Sequence, residues 1–161
     1  MKGLSRSTPE QEFPVIVPGS SVLLQAARDG DLATVRRKLT KNIFKKAEDV
    51  NQRDERQCTA LHYAAKRSDR EVAGLLLDKG AAVGAVDKHG WGVLHYAVRY
   101  GTEDMVRFLI ERGADLHAKE KRGWNVLHLA ARNGQAEKAR WVVISTDGWK
   151  VECIIRQMNV N

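Results

Sequence analysis

A Leu-His step recurs at one fixed interval: Leu61-His62, Leu94-His95 and Leu127-His128, each 33 residues after the last. A constant period of this length means repeated supersecondary units, each too short to bury its apolar face alone, so neighbouring units must stack. The register extends to both sides of the step. Before it lies a polar stretch: Asp54-Glu55-Arg56-Gln57, Asp87-Lys88-His89-Gly90 and Glu120-Lys121-Arg122-Gly123. Gly90 and Gly123 suit a tight turn with positive φ. After it comes a pair of small residues, Ala64-Ala65, Ala97-Val98 or Ala130-Ala131, which lets helices approach closely. Ser68, Gly101 or Gly134 then stops the first helix. A second helix carries Val72, Leu75 and Leu76 in one unit and Met105, Phe108 and Leu109 in the next, at helical spacing. Lys79-Gly80-Ala81 and Arg112-Gly113-Ala114 close these units.

The flanks are less regular. Residues 1–20 hold all three prolines and little periodicity, and read as a flexible leader. A degenerate first, capping unit spans 21–53: a helix from a Ser20-Ser21 cap, a Gly30 stop, a second helix over Asp31–Leu39, and an extended loop at 40–50. The clearer units are 54–86 and 87–119, and a divergent last unit fills 120–161. Its second helix, Ala136–Ile144, lacks the Gly-Ala ending. Beyond it Val151, Ile154, Ile155 and Met158 give an extra amphipathic helix at 149–158. Two readings of this end stay open. The extra helix caps the array, or Val160-Asn161, which matches Val50-Asn51, marks a boundary with more units following.

The pattern Asp-x-x-Gly-x-Thr-x-Leu-His-x-Ala-Ala, then a glycine, then a helix ending Leu-Leu-x-x-Gly-Ala, resembles the ankyrin repeat. The resemblance covers residues 21–144, which is 124 of 161. It implies an all-α solenoid of about four repeats, built of antiparallel helix pairs joined by β-hairpin-like loops. It also implies structural roles for His62, His95 and His128. The family's Thr-Pro at the helix start is replaced by Thr59-Ala60, Gly92-Val93 and Asn125-Val126. Loss of the proline removes a pre-set φ, so the helix starts are expected to be softer.

Catalysis and metal binding find no support in these residues. Equivalent histidines on neighbouring helices are about 8–10 Å apart, too far to share a zinc ion with ligand bonds of about 2 Å. No nucleophile–base spacing, phosphate loop or HExxH occurs. Cys58, beside Arg56, reads as a small polar filler rather than a reactive thiol. No catalytic residue, metal site or cofactor is therefore expected. No apolar run approaches the roughly 18 residues of a membrane span. Cys58 and Cys153 are isolated, which points to a reducing compartment, the cytoplasm or alternatively the nucleus.

Function then falls to a surface. In ankyrin-like arrays the hairpin tips and the exposed edge of each first helix form a common concave face. Carried over position by position, the partner-binding candidates at the tips are Arg56, Lys88, His89, Trp91, Lys121, Arg122 and Trp124. Those on the helices are Lys66, Arg67, Tyr96, Arg99, Tyr100 and Arg132. With Glu55, Cys58 and Asn133 included, the face carries eight Lys or Arg and one acid. That excess of seven equals the whole chain's excess of 27 basic over 20 acidic residues. Exposed Trp with interleaved Arg has the composition of binding hot spots.

The leading expectation is a non-catalytic adaptor, scaffold or regulatory module that binds another protein through an acidic or phosphorylated segment. The alternatives are a sensor of an anionic nucleotide or single-stranded nucleic acid, and a structural segment of a larger protein such as a channel or kinase. The residues leave the oligomeric state open.

Overall fold

The computed structural model describes residues 21–40 and 48–134. The expected leader at 1–20, most of the 40–50 loop, the helix at 136–144 and the extra helix at 149–158 lie outside them. The described residues form antiparallel helix pairs: α1 (Val22–Asp29) with α2 (Leu32–Leu39), α3 (Ala60–Arg67) with α4 (Arg70–Asp78), and α5 (Val93–Tyr100) with α6 (Glu103–Glu111). The helix α7 (Val126–Arg132) opens a fourth unit. Among the described residues every element is helical apart from one isolated antiparallel bridge, Val86 with Gly92.

Side-chain caps define the starts of α1, α2, α4 and α6. Ser21, Asp31, Asp69 and Thr102 accept from the backbone N–H of Leu23, Thr34, Val72 and Met105. Within each pair the chain reverses through two residues. Gly30 and Ser68 do this in the left-handed region, at φ +78° and +62°. Gly101 differs, with φ −86°. A Cβ there would stand 2.8 Å from the carbonyl oxygens of both Ala65 and Ala97. Glycine is needed at 101 because α3 and α5 come so close.

The odd-numbered helices form an inner row, α1 against α3 against α5 against α7, and α2 and α4 pack behind it. Ala60, Ala64, Ala65, Ala97 and Ala130 are fully buried in the inner row, so its helices meet nearly backbone to backbone. Leu23, Leu61, Leu76, Met105 and Leu109 fill the space between rows. Fully burying a leucine is worth roughly 1.5–3 kcal/mol, and the stack exists to collect that gain from each unit in turn.

Two of the three histidines, His62 and His95, bridge successive repeats. Nδ1 of His62 accepts from the Thr59 N–H at 3.1 Å, at the start of its own helix, and Nε2 lies 3.3 Å from the Trp91 carbonyl of the next unit. A carbonyl can only accept, so Nε2 carries the proton. His95 repeats the arrangement with the Gly92 N–H at 3.2 Å and the Trp124 carbonyl at 3.4 Å. The structural reading of these residues thus gains a second half: each ring caps its own helix and also clasps the following hairpin. The Nδ1 bond satisfies one backbone N–H at the start of α3 and of α5. Burial pushes the pKa of His62 and of His95 down, which keeps both rings neutral. His128 differs: it is exposed, and its Nδ1 faces Asn125 Oδ1 at 2.5 Å.

Candidate interaction groove

Each hairpin is held from beneath by a carboxylate. Asp87 Oδ1 accepts the N–H groups of His89 and Trp91, both at 2.8 Å. Asp54 does the same for Arg56 and Cys58, and Glu120 for Arg122 and Trp124. The loop closes with Asp87 N–H on the Trp91 carbonyl at 2.9 Å. The turn residue has positive φ: +82° at Gly90 and Gly123, and +62° at Gln57 in the equivalent place. Successive tips are joined by one backbone bond each, Lys88 N–H to the Arg56 carbonyl at 2.9 Å and Lys121 N–H to the His89 carbonyl at 3.1 Å.

The second carboxylate oxygen turns toward the helix. Asp54 Oδ2 accepts from the Tyr63 hydroxyl, and Asp87 Oδ2 accepts from the Tyr96 hydroxyl at 2.9 Å. Burial, followed for Tyr63 by the carboxylate bond and for Tyr96 by the Cys58 and Asp87 contacts, drives both phenol pKa values far above their ordinary range. In the next unit Leu129 stands where these tyrosines stand, and the acid is Glu120. Leu129 and Glu120 help to line a cavity of about 390 Å³ between the Trp91 and Trp124 hairpins.

Of the residues singled out in the sequence, His89, Trp91, Tyr96 and Arg99 line this cavity, with Tyr100, Arg122, Trp124 and Arg132. Arg56, Lys66 and Arg67 line a second hollow of about 270 Å³ with Arg28, Tyr63 and Cys58. Tyr96 borders both. Lys88 and Lys121 are exposed at the tips and line neither. Arg67 packs over Gly30, with Nη2 2.8 Å from where a Cβ at that glycine would lie.

The tryptophans are half-buried, a correction to the expectation of exposed rings. Each ring has a cation over its face. The Arg99 guanidinium is 5.5 Å from the Trp91 ring centre, and that of Arg132 is 5.2 Å from Trp124. Trp91 also lies against His95 and Tyr96. The same pairing crosses between units on the other side, with Arg28 5.0 Å from Tyr63 and Lys66 5.2 Å from Tyr100. Aromatic and basic groups therefore alternate along the groove.

Cys58 is 2% exposed, with its sulfur 3.3 Å from the Tyr96 hydroxyl. Burial raises its pKa, consistent with filler rather than nucleophile. The sequence reading missed Arg28, Asp87, Glu120 and Leu129 as groove residues. A signal for Arg28 exists: a basic residue directly follows the small pair in all four units, at Arg28, Lys66, Arg99 and Arg132.

A family model described as ankyrin repeats in three copies matches residues 23–120 and 87–153. Repeats of this kind generally mediate protein–protein interaction, and the family is typically a non-catalytic interaction module. Among the described residues no helix is long and apolar enough to cross a membrane. Repeat period, helix pairs, hairpin tips and family match agree, and the chain belongs to the ankyrin-repeat family.

Proposed function

We propose that the groove binds an acidic or phosphorylated segment of a partner protein. The observation that carries this reading is the set of guanidinium groups held over tryptophan faces around the 390 Å³ cavity. A guanidinium such as that of exposed Arg132, 5.2 Å from the Trp124 ring centre, has the fork geometry for bidentate contact with carboxylate or phosphate. The ring beneath supplies apolar area of the kind found at binding hot spots. Two acids, Asp87 and Glu120, also line the cavity and offset part of this positive charge. Asp54 and Asp87 use both oxygens on their own hairpin and helix.

The test is titration of acidic and phosphorylated peptides at two salt concentrations. Affinity is expected to fall with salt and to drop at least tenfold in the Trp91→Ala, Trp124→Ala double variant. Binding indifferent to both changes excludes the reading.

A second reading is supported by the cavity itself. Its volume is in the range of small-ligand sites, about 300–1,000 Å³, and two tryptophans flank it. An anionic nucleotide or single-stranded nucleic acid would stack on Trp91 or Trp124, with its phosphate on Arg122 or Arg132. Retention of RNA on a column of the protein at moderate ionic strength separates this reading from the first.

A further inference from the structure

The 270 Å³ hollow and the 390 Å³ cavity are one repeat site occurring twice. Arg56, Cys58, Tyr63, Lys66, Arg67 and Tyr96 line the hollow. The residues 33 positions on, His89, Trp91, Tyr96, Arg99, Tyr100 and Leu129, line the cavity. The scaffold is shared and the side chains differ. Trp91 stands where Cys58 stands, and Tyr100 where Arg67 stands. The cavity therefore holds aromatic area at positions where the hollow holds a thiol and a guanidinium.

The charge balance differs as well. Arg99, Arg122 and Arg132 line the cavity against Asp87 and Glu120, an excess of one (three minus two, histidines neutral). Arg28, Arg56, Lys66 and Arg67 line the hollow, and among the described residues no carboxylate joins them, an excess of four. Among the described residues none of these four makes an ion pair. The Tyr63 and Tyr96 hydroxyls donate to Asp54 and Asp87. Each phenol's one proton is thus committed, and the strong donors left to face a ligand are the guanidinium and ammonium groups.

Local structure brings these cations together. Arg28 is in the last turn of α1, Lys66 and Arg67 are in that of α3, and Arg56 is at a hairpin tip. Gly30 ends α1, and Arg67 lies across it, with Nη2, Nε and Cζ at 2.8, 3.0 and 3.1 Å from where a Cβ would be. The bare backbone at Gly30 admits a second guanidinium to the end of α1. The Arg28 guanidinium lies 5.0 Å from the Tyr63 ring centre, with Nη2 3.5 Å from the hydroxyl. Like charges held in one concavity repel each other and focus their field on whatever enters it, so a bound anion relieves the repulsion.

We propose that the hollow is a phosphoryl-binding site, which takes a phosphorylated side chain of the partner segment while flanking residues meet the cavity across Tyr96, a wall of both. The inference rests on the acidic-segment reading above and adds which anion is preferred and where it sits. A phosphate monoester carries about −1.5 to −2 charge at pH 7 and three acceptor oxygens, whereas a carboxylate carries a single charge and two oxygens. Three arginines and a lysine can engage all three oxygens of the phosphoryl group, the arginines as bidentate forks. A volume of about 270 Å³ lies below the roughly 300–1,000 Å³ of sites that enclose drug-sized ligands, so the hollow fits a headgroup rather than a whole nucleotide.

The experiment uses the full chain, fluorescence anisotropy and one acidic peptide in three forms, with phosphoserine, glutamate or serine at its centre. The phosphoserine form is expected to bind about tenfold tighter than the glutamate form, and the serine form weakest. Arg56→Gln combined with Arg67→Gln, both at exposed side chains, is expected to reduce the tenfold ratio to less than about twofold. Lys79→Gln with Lys119→Gln removes the same charge from residues that line neither site, and is expected to leave the ratio at about tenfold because distant exposed charges are screened. Equal affinity of the phosphoserine and glutamate forms, or an equal loss of the ratio in both double variants, overturns the phosphoryl site and leaves the acidic-segment reading standing. Inorganic phosphate that competes as well as unlabelled phosphoserine peptide overturns the partner segment as the source of the phosphoryl group. No binding of any of the three forms overturns both.

Discussion

The His62 ring bridges two units: its Nδ1 holds the Thr59 N–H, and its Nε2–H meets the carbonyl of Trp91, the residue whose indole walls the cavity. The element that sets the repeat period therefore also sets the position of a groove side chain 29 residues away. Protonation removes the Nδ1 acceptor. The folded-state pKa values of His62 and His95 are depressed, so the unfolded chain takes up protons first. The stability they contribute is complete above the ordinary histidine pKa of about 6.5 and is lost as pH falls below it through the folded values. Urea midpoints should drop between pH 7.5 and 5.5, and His62→Gln should flatten part of that slope. An unchanged slope in the variant removes His62 as its source.

Two glycines nine residues apart should respond oppositely to substitution. Gly92 has φ −81°, and a Cβ there meets nothing closer than 3.6 Å. Gly92→Thr copies Thr59 and should stabilise by about 0.5–1 kcal/mol through reduced unfolded-state freedom and a better cap. Gly101→Ala drives a Cβ into two backbone oxygens at 2.8 Å and should destabilise by about 2 kcal/mol or more. Thermal unfolding of the two variants side by side decides it, and a shift of the same sign in both contradicts the packing described at Gly101.

The Tyr96 hydroxyl lies between Asp87 Oδ2 and the Cys58 sulfur. Tyr96→Phe leaves a largely buried carboxylate oxygen without its donor, at a cost of about 1–3 kcal/mol. Arg122→Ala, an exposed tip residue, should change stability by less than about 0.5 kcal/mol. Chemical denaturation of both variants tests the contrast.

Glu120→Asp combined with Leu129→Tyr rebuilds the acid–phenol pair of the two preceding units. The phenol would occupy the floor of the 390 Å³ cavity. Stability should hold or rise slightly, while affinity for acidic peptides falls about tenfold. Full retention of affinity means that the cavity takes no part in binding.

The repeat, its helix pairs and its turn glycines were legible because they recur: Gly90 and Gly123 have the φ their spacing implied, and Ala64, Ala65, Ala97, Val98 and Ala130 of the small pairs are buried where helices meet. Gly101 misleads, since it occupies a stop position yet serves a contact with a helix more than thirty residues away. The groove was legible as a set of charges and aromatics but not as a shape. Nothing local to Trp91 says that Arg99 covers its face. Leu129 lines the cavity at the repeat position held by Tyr63 and Tyr96 in the preceding units, and nothing local to it marks it as a groove residue. The Arg28 position was recoverable by aligning Ala26-Ala27 with Ala64-Ala65, although 38 residues rather than 33 separate the two pairs.

The tip-to-tip joints, Lys88 to Arg56 and Lys121 to His89, involve main-chain atoms alone. The side chains at 56, 88, 89, 121 and 122 are thus mechanically uncoupled from the spine that displays them. Mutation can rewrite the message at these sites without renegotiating the scaffold, and a duplicated unit arrives with its display positions already blank. Diversity of partners across such arrays, on this view, follows from where the bonds were placed rather than from any tolerance of the core.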